Sequence, residues 1–292
     1  MRKVKVAATQ MTCSKNVNEN VEKAIELIVR ASKEDANIVL IQELFENVYF
    51  CKDQKDEYFN FAKPFIDHPT LFKMSKVAKE YNVVLPISYF EKANKAYFNS
   101  VAIIDADGEI LGNYRKSHIP DGPGYQEKFY FSPGDTGFKV WNTKFAKIGV
   151  GICWDQWSSE AARIMALMGA EIIFYPTAIG SEPEDPDDFD SSDMWQRAMV
   201  GHSACNQVPV VASNRIGAEK GESCTNYFYG RSFISDYKSD LLAEGSREQE
   251  EVLVASLDLE EAESFRRTWG IFRDRRPDLY KPILNLSGKE GQ

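Results

Sequence analysis

The sequence predicts an α/β fold, a four-layer α-β-β-α sandwich with two mixed sheets packed face to face beneath outer helices. Short apolar runs of strand character alternate with longer stretches whose apolar residues recur at helical spacing, the rhythm of strand–helix–strand units. Several strand-like runs are also joined directly by turns, so the sheets are mixed and a closed parallel barrel is not expected. At 292 residues the chain can bury a large core without disulfides or metals. It is read as a single domain over residues 1–280, followed by a tail over 281–292.

Val4-Lys5-Val6-Ala7-Ala8 is the first strand-like run. Asn16 or Asn18 caps a helix that continues to about residue 33, with Val17, Val21, Ala24, Ile25 and Ile28 at helical spacing. Ile38-Val39-Leu40-Ile41 is a continuous apolar run ending at Gln42-Glu43, as a strand buried on both faces requires. Residues 71–81 read as a helix and 83–87 as a strand. Strands at 98–105 and 109–115 are joined by a turn containing Asp107-Gly108. A strand at 147–151 leads to a helix at 159–168, capped by Ser158 or Ser159. A strand at 171–175, a helix at 192–205 and strands at 208–212, 232–235 and 252–257 complete the pattern. No repeat of fixed period is present. Positions 182–190 hold six acids and two prolines in nine residues, a solvated loop by composition. The segment after Asp274 is irregular and semi-apolar, which suits packing on a partner subunit.

Composition removes several function classes. With 43% hydrophobic and 27% charged residues the chain is not of the disordered type. A net charge of −9 argues against nucleic acid as a partner, since phosphate binding needs stripes of Lys and Arg. The same acidity favours cationic small molecules. No apolar run reaches membrane-spanning length, so no membrane partner is expected. The opening MRKVKVAATQM is too mixed for a signal peptide. Five widely spaced cysteines without a CxxC pair, and three histidines, offer no metal-ligand set and fit a reducing cytoplasm.

Three residues then stand out by position. Cys153 follows the apolar run Lys147-Ile148-Gly149-Val150-Gly151-Ile152 and precedes a helix. Catalytic groups gather at the carboxyl ends of strands, and a tight strand-to-helix turn presents a nucleophile beside backbone N–H donors. The alternative is a plain buried cysteine. Glu43 ends its strand run in the same way, and burial would suit its carboxylate to general-base work; a solvated strand-end glutamate is the alternative. Lys116 follows Tyr114-Arg115 at the end of a hairpin strand. It is either solvated or, held charged in a closed site, a stabiliser of an oxyanion. Cys205 lies on an apolar helical pattern and reads as core packing.

The joint pattern resembles the nitrilase superfamily, which places a Glu–Lys–Cys triad at strand ends in this chain order. The motifs are Ile41-Gln42-Glu43-Leu44-Phe45, Tyr114-Arg115-Lys116-Ser117-His118 and Gly151-Ile152-Cys153-Trp154-Asp155. Val6-Ala7-Ala8-Thr9-Gln10, Gly134-Asp135-Thr136-Gly137, Tyr175-Pro176-Thr177-Ala178 and Asn214-Arg215 extend the resemblance to about residue 280. It implies a cysteine amidohydrolase that needs no metal or organic cofactor and a homo-oligomer built from dimers. It adds Glu127, whose implied role is to hold Lys116 and the substrate; a surface loop glutamate is the alternative. In the chemistry this implies, Glu43 takes the thiol proton of Cys153 and the thiolate attacks a planar carbon. Lys116 and the backbone N–H of Trp154 then meet the oxyanion.

The substrate reading rests on the segment after the strand at 171–175, Pro176 to Glu184, which carries acids and no arginine. Glu182 there would pair with a cationic far end of a small ureido substrate. Together with Gly122-Pro123-Gly124-Tyr125-Gln126-Glu127 and Trp195-Gln196-Arg197, this stretch resembles the sub-family acting on N-carbamoylputrescine in polyamine synthesis. Tyr49 and Trp154 are expected beside the aliphatic section of that substrate. The rival readings are a relative acting on 3-ureidopropionate, N-carbamoyl amino acids or ω-amides, and a non-catalytic binding subunit.

Overall fold

The computed structural model of the chain describes residues 2–183 and 189–289. In chain order its first half contains β1 (Lys3–Gln10), α1 (Val17–Lys33), β2 (Ile38–Leu40), α2 (Pro69–Tyr81), β3 (Leu85–Ala93), β4 (Ala96–Ile104) and β5 (Ile110–Arg115). Then follow β6 (Val140–Asn142), β7 (Lys147–Val150), α3 (Ser159–Leu167), β8 (Ile172–Pro176), α4 (Ser192–Asn206) and β9 (Val210–Ser213). The last elements are β10 (Ile216–Lys220), β11 (Thr225–Tyr229), β12 (Phe233–Ser235), β13 (Leu241–Glu244), β14 (Glu251–Asp258) and α5 (Leu259–Trp269).

β1, α1 and β2 form the first strand–helix–strand unit, with Val6, Ala7 and Ala8 opposite Ile38, Val39 and Leu40 in parallel register. Asn16 caps α1 by accepting from the Asn18 and Glu19 N–H groups, which the first helical turn leaves without partners. β14 lies antiparallel on the other side of β1, and β3, β4 and β5 form a meander. Val39 N–H donates to Val84 O (3.0 Å) and Val84 N–H to Asn37 O (2.8 Å), which ties β2 to the start of β3. One sheet thus runs β14-β1-β2-β3-β4-β5. The second runs β13-β12-β9-β8-β7-β6, with β7, β8 and β9 parallel.

Alternation along each strand explains the layers. Val6 and Ala8 of β1 join Ile38, Leu40, Val150, Ile172, Phe174 and Val211 in one core between the sheets. Ala7, on the opposite side of the same strand, packs instead with Ala24, Ile28, Met74 and Ala78 of α1 and α2. Ile173 and Tyr175 of β8 turn away from the central core toward Met165, Trp195 and Met199 of α3 and α4. Strands buried on both faces read as unbroken apolar runs, and four layers result, as the sequence predicts. The sheets are also pinned by hydrogen bonds: Ser213 Oγ accepts from Thr9 N–H (3.0 Å) and donates to Leu40 O (2.9 Å).

Some elements depart from the sequence reading. β6, β13, the β10–β11 hairpin and α5 carry too little apolar periodicity to announce themselves. α5 buries only Leu259 and Ala262, and the Asp258 side chain caps it by accepting from the Glu261 N–H. Cys205 is exposed, not core. The buried stripe of α4 runs through Trp195, Met199, His202 and Asn206, and position 205 falls off it.

Candidate active site

Three strands deliver their carboxyl ends to one place. Glu43 stands three positions beyond β2, and its N–H donates to Thr177 O (3.3 Å) just beyond β8. Leu44 follows at φ 48°, a left-handed conformation rare for a branched side chain, with its N–H held by Ser88 Oγ (2.9 Å). Lys116 directly follows β5 and extends the pairing with β4 through its N–H to Asn99 O (2.8 Å). Cys153 lies three positions beyond β7 at φ 41°, in the turn leading to α3. Gly151 permits that turn because a Cβ there would sit 2.7 Å from the Tyr175 ring.

The side chains converge in a shielded cluster. Lys116 Nζ donates to Glu43 Oε1 (2.9 Å) and Glu127 Oε2 (2.7 Å). Asn99 Nδ2 donates to the same Glu43 oxygen (2.6 Å), and Tyr49 OH donates to Glu127 Oε1 (2.8 Å). Glu43, Lys116, Glu127 and Cys153 are all buried. Glu43 Oε2 has no hydrogen-bond partner among the described residues. The Cys153 thiol has Ala178 O at 4.0 Å and lies within the electrostatic reach of Glu43, Lys116 and Glu127.

Electrostatics sets the resting protonation. Burial, reinforced by Glu43, holds the Cys153 thiol well above the ordinary cysteine value despite Lys116, so the sulfur keeps its proton at rest. Burial alone would strip the Lys116 ammonium of its charge, but Glu127 and Glu43 outweigh it and raise its pKa well above the usual lysine value. Burial also pushes the Glu127 carboxyl up to about 7, opposed by Lys116. The arrangement offers a protonated nucleophile, an unpaired carboxylate oxygen to take its proton, and a fixed positive charge for a developing oxyanion. The backbone N–H of Trp154 follows directly on Cys153 in the same turn.

Sequence reasoning missed the supports. Asp155 is fully buried and accepts from Ile152 N–H (2.9 Å), Tyr114 OH (2.7 Å), His118 N–H (3.0 Å) and the His118 ring Nδ1 (2.7 Å). It ties the cysteine turn to the residues on either side of Lys116. Asn99 was legible only as one of two adjacent polar residues, with Ser100, in a largely apolar strand.

A cleft of about 140 Å³ opens above the cluster, lined by Cys153, Trp154, Glu127, Tyr125, Asp121 and Glu182 among others. Glu127 is buried, which removes the surface-loop alternative. Trp154 is 44% exposed, and Glu182 stands at the exposed rim. Among the described residues the lining contains acids and no lysine or arginine. Tyr49 is a correction: it is fully buried behind the wall, its hydroxyl committed to Glu127, and it does not line the cleft. Its aromatic bulk belongs to a cluster with Tyr125 and Phe228, which draws it inward. Positions 184–188 of the acidic run lie outside the described residues.

Known proteins resemble this chain over most of its length. The family described as Carbon-nitrogen hydrolase matches residues 5–267. The chain is 60% identical over 292 residues to an N-carbamoylputrescine amidase of Solanum tuberosum, spanning 98% of this chain and 97% of that protein. It is 53% identical over 284 residues to a citrullinase of Francisella tularensis, spanning 97% and 99%. The solved structure of a carbon-nitrogen hydrolase from Helicobacter pylori G27 superposes with a TM-score of 0.91 at 38% identity, covering 97% of this chain and 99% of that one.

Proposed function

The chain belongs to the carbon-nitrogen hydrolase family and hydrolyses amide-type carbon–nitrogen bonds; from that premise we propose that its substrate is N-carbamoylputrescine, cleaved to putrescine, carbon dioxide and ammonia in polyamine synthesis. The supporting observation is one cleft with a buried thiol at its floor, a carboxylate at its rim and, among the described residues that line it, no cationic side chain. A ureido group fits the first end and an ammonium the second.

Glu43 Oε2 takes the Sγ proton as the sulfur attacks the ureido carbon. The oxyanion is met by Lys116 Nζ and the Trp154 N–H; one such donor contributes on the order of 10²–10³ in kcat. Glu43 returns the proton to the terminal nitrogen and ammonia leaves, giving an N-alkylcarbamoyl thioester. Glu182 retains the distal ammonium while Glu43 deprotonates a water that attacks the thioester carbon. The thiolate leaves and regains its proton, and the released carbamate loses carbon dioxide to give putrescine.

Citrulline is the second reading, favoured by the 53% identical relative. It carries a carboxylate beside its ammonium, as 3-ureidopropionate and N-carbamoyl amino acids carry carboxylates. Each would place that charge against Asp121 and Glu182 without a cation to pair it. Ammonia release measured in parallel on N-carbamoylputrescine, citrulline and 3-ureidopropionate decides. We expect turnover of the first to dominate and Cys153→Ala to abolish it in a protein that remains folded. Undiminished turnover by that variant would refute the reading.

A catalytic unit spanning residues 1–280 fits a site whose side chains come from both sheets. A reducing cytoplasm suits a thiol nucleophile. An assembly built from dimers is supported by exposed apolar side chains beyond α5 at Leu279, Ile283, Leu284 and Leu286.

A further inference from the structure

Arg215 is fully buried at the junction of β9 and β10. Its guanidinium Nη2 donates to the carbonyls of Glu43 (3.1 Å) and Leu44 (2.9 Å). Its Nη1 donates to the carbonyl of Asn47 (2.9 Å) and to Glu219 Oε1 (2.6 Å). The pinned carbonyls belong to the turn that carries Glu43 and includes Leu44 at positive φ.

Glu219 grips a second point. Its Oε2 accepts from the Tyr49 N–H (2.5 Å) and from Lys52 Nζ (3.4 Å). Tyr49 in turn holds Glu127 Oε1 through its hydroxyl, and Glu127 Oε2 holds Lys116. One buried ion pair therefore fixes the backbone of Glu43 and, through Tyr49, the side chain of Glu127. These are the two carboxylates that flank Lys116. A planar guanidinium spans several acceptors in fixed geometry, which a single ammonium does not.

We propose that Arg215 and Glu219 are positioning residues for the reaction: together they set where Glu43 and Glu127 stand around Lys116, and thereby the rate of the chemical steps. This rests on the roles proposed above for Glu43, Lys116 and Cys153.

The test compares Arg215→Lys and Glu219→Gln with the wild-type enzyme. The lysine keeps the charge without spanning all four acceptors. The glutamine keeps the size and can still accept from Tyr49, but it no longer pairs with the guanidinium. Arg215→Lys should lower kcat about 10- to 100-fold with KM within about threefold, because displaced catalytic groups slow chemistry more than binding. Glu219→Gln should lower kcat about 3- to 10-fold, and the double variant should be no worse than Arg215→Lys, as expected for one shared unit. Alkylation of Cys153 by iodoacetamide should slow in step with kcat, a change that loss of stability alone does not produce in a folded protein. Thermal unfolding and circular dichroism establish folding; if Arg215→Lys does not fold, Glu219→Gln decides alone. Folded variants with kcat within about twofold of wild type, or with KM raised and kcat unchanged, would overturn the inference. Turnover persisting in Cys153→Ala would instead sink the reaction scheme, whereas an inactive Cys153→Ala beside fully active Arg215→Lys and Glu219→Gln would sink only the positioning role.

Discussion

Buried carboxylate oxygens almost always find donors, so Glu43 Oε2, with none among the described residues, fits the proton acceptor proposed above. Its sister oxygen is held by both Lys116 and Asn99, which aims the unpaired one. At the other end of the cleft the role proposed for Glu182 is charge pairing at an exposed rim, where ion pairs are weak. Glu182→Gln should therefore raise KM for N-carbamoylputrescine about 3- to 10-fold while kcat moves less than about twofold. Steady-state ammonia release gives both constants. An unchanged KM would remove Glu182 from substrate binding.

The elements that carry the site are joined by Asp155. Its carboxylate receives donors from the end of β5, from the segment just after Lys116 and from the cysteine turn. An amide in its place would turn two hydrogens toward groups that themselves donate. Asp155→Asn should cost about 1–3 kcal/mol in stability, since buried donors lose their acceptor. It should also lower kcat about 100-fold, because Lys116 and Cys153 lose their common tie. Chemical denaturation and kinetics on the folded fraction separate the two effects; full activity per folded molecule would show that the turn needs no such anchor.

Across the whole molecule, burial also leaves titratable groups that the reaction does not use. Glu46 accepts from Thr70 Oγ1 and lies 3.6 Å from His68 Nε2, and burial pushes its carboxyl up to about 7. The folded state then binds the proton more tightly than the unfolded one. That contribution is complete below the unfolded value near 4.5 and is lost as pH rises through about 7. Glu46→Gln keeps the acceptor and removes the titration. The variant should gain on wild type by about 1–3 kcal/mol between about pH 5 and about pH 8, read from unfolding curves. A pH-independent difference would assign the dependence to other groups.

The sequence alone determined the layers and the positions of Glu43, Lys116 and Cys153 at strand ends. Both depend on order along the chain: apolar alternation is set by neighbours, and a polar residue that closes an apolar run must emerge at a sheet edge. Glu127 came only from resemblance to a family, because a loop glutamate carries no periodic signal. The tertiary structure decided the rest. It withdrew Tyr49 from the cleft, exposed Cys205, and brought Arg215 to the carbonyl of a residue 172 positions away. Such contacts form where two sheets pack against each other. The geometry of that packing is a property of the assembled core, which no local pattern encodes.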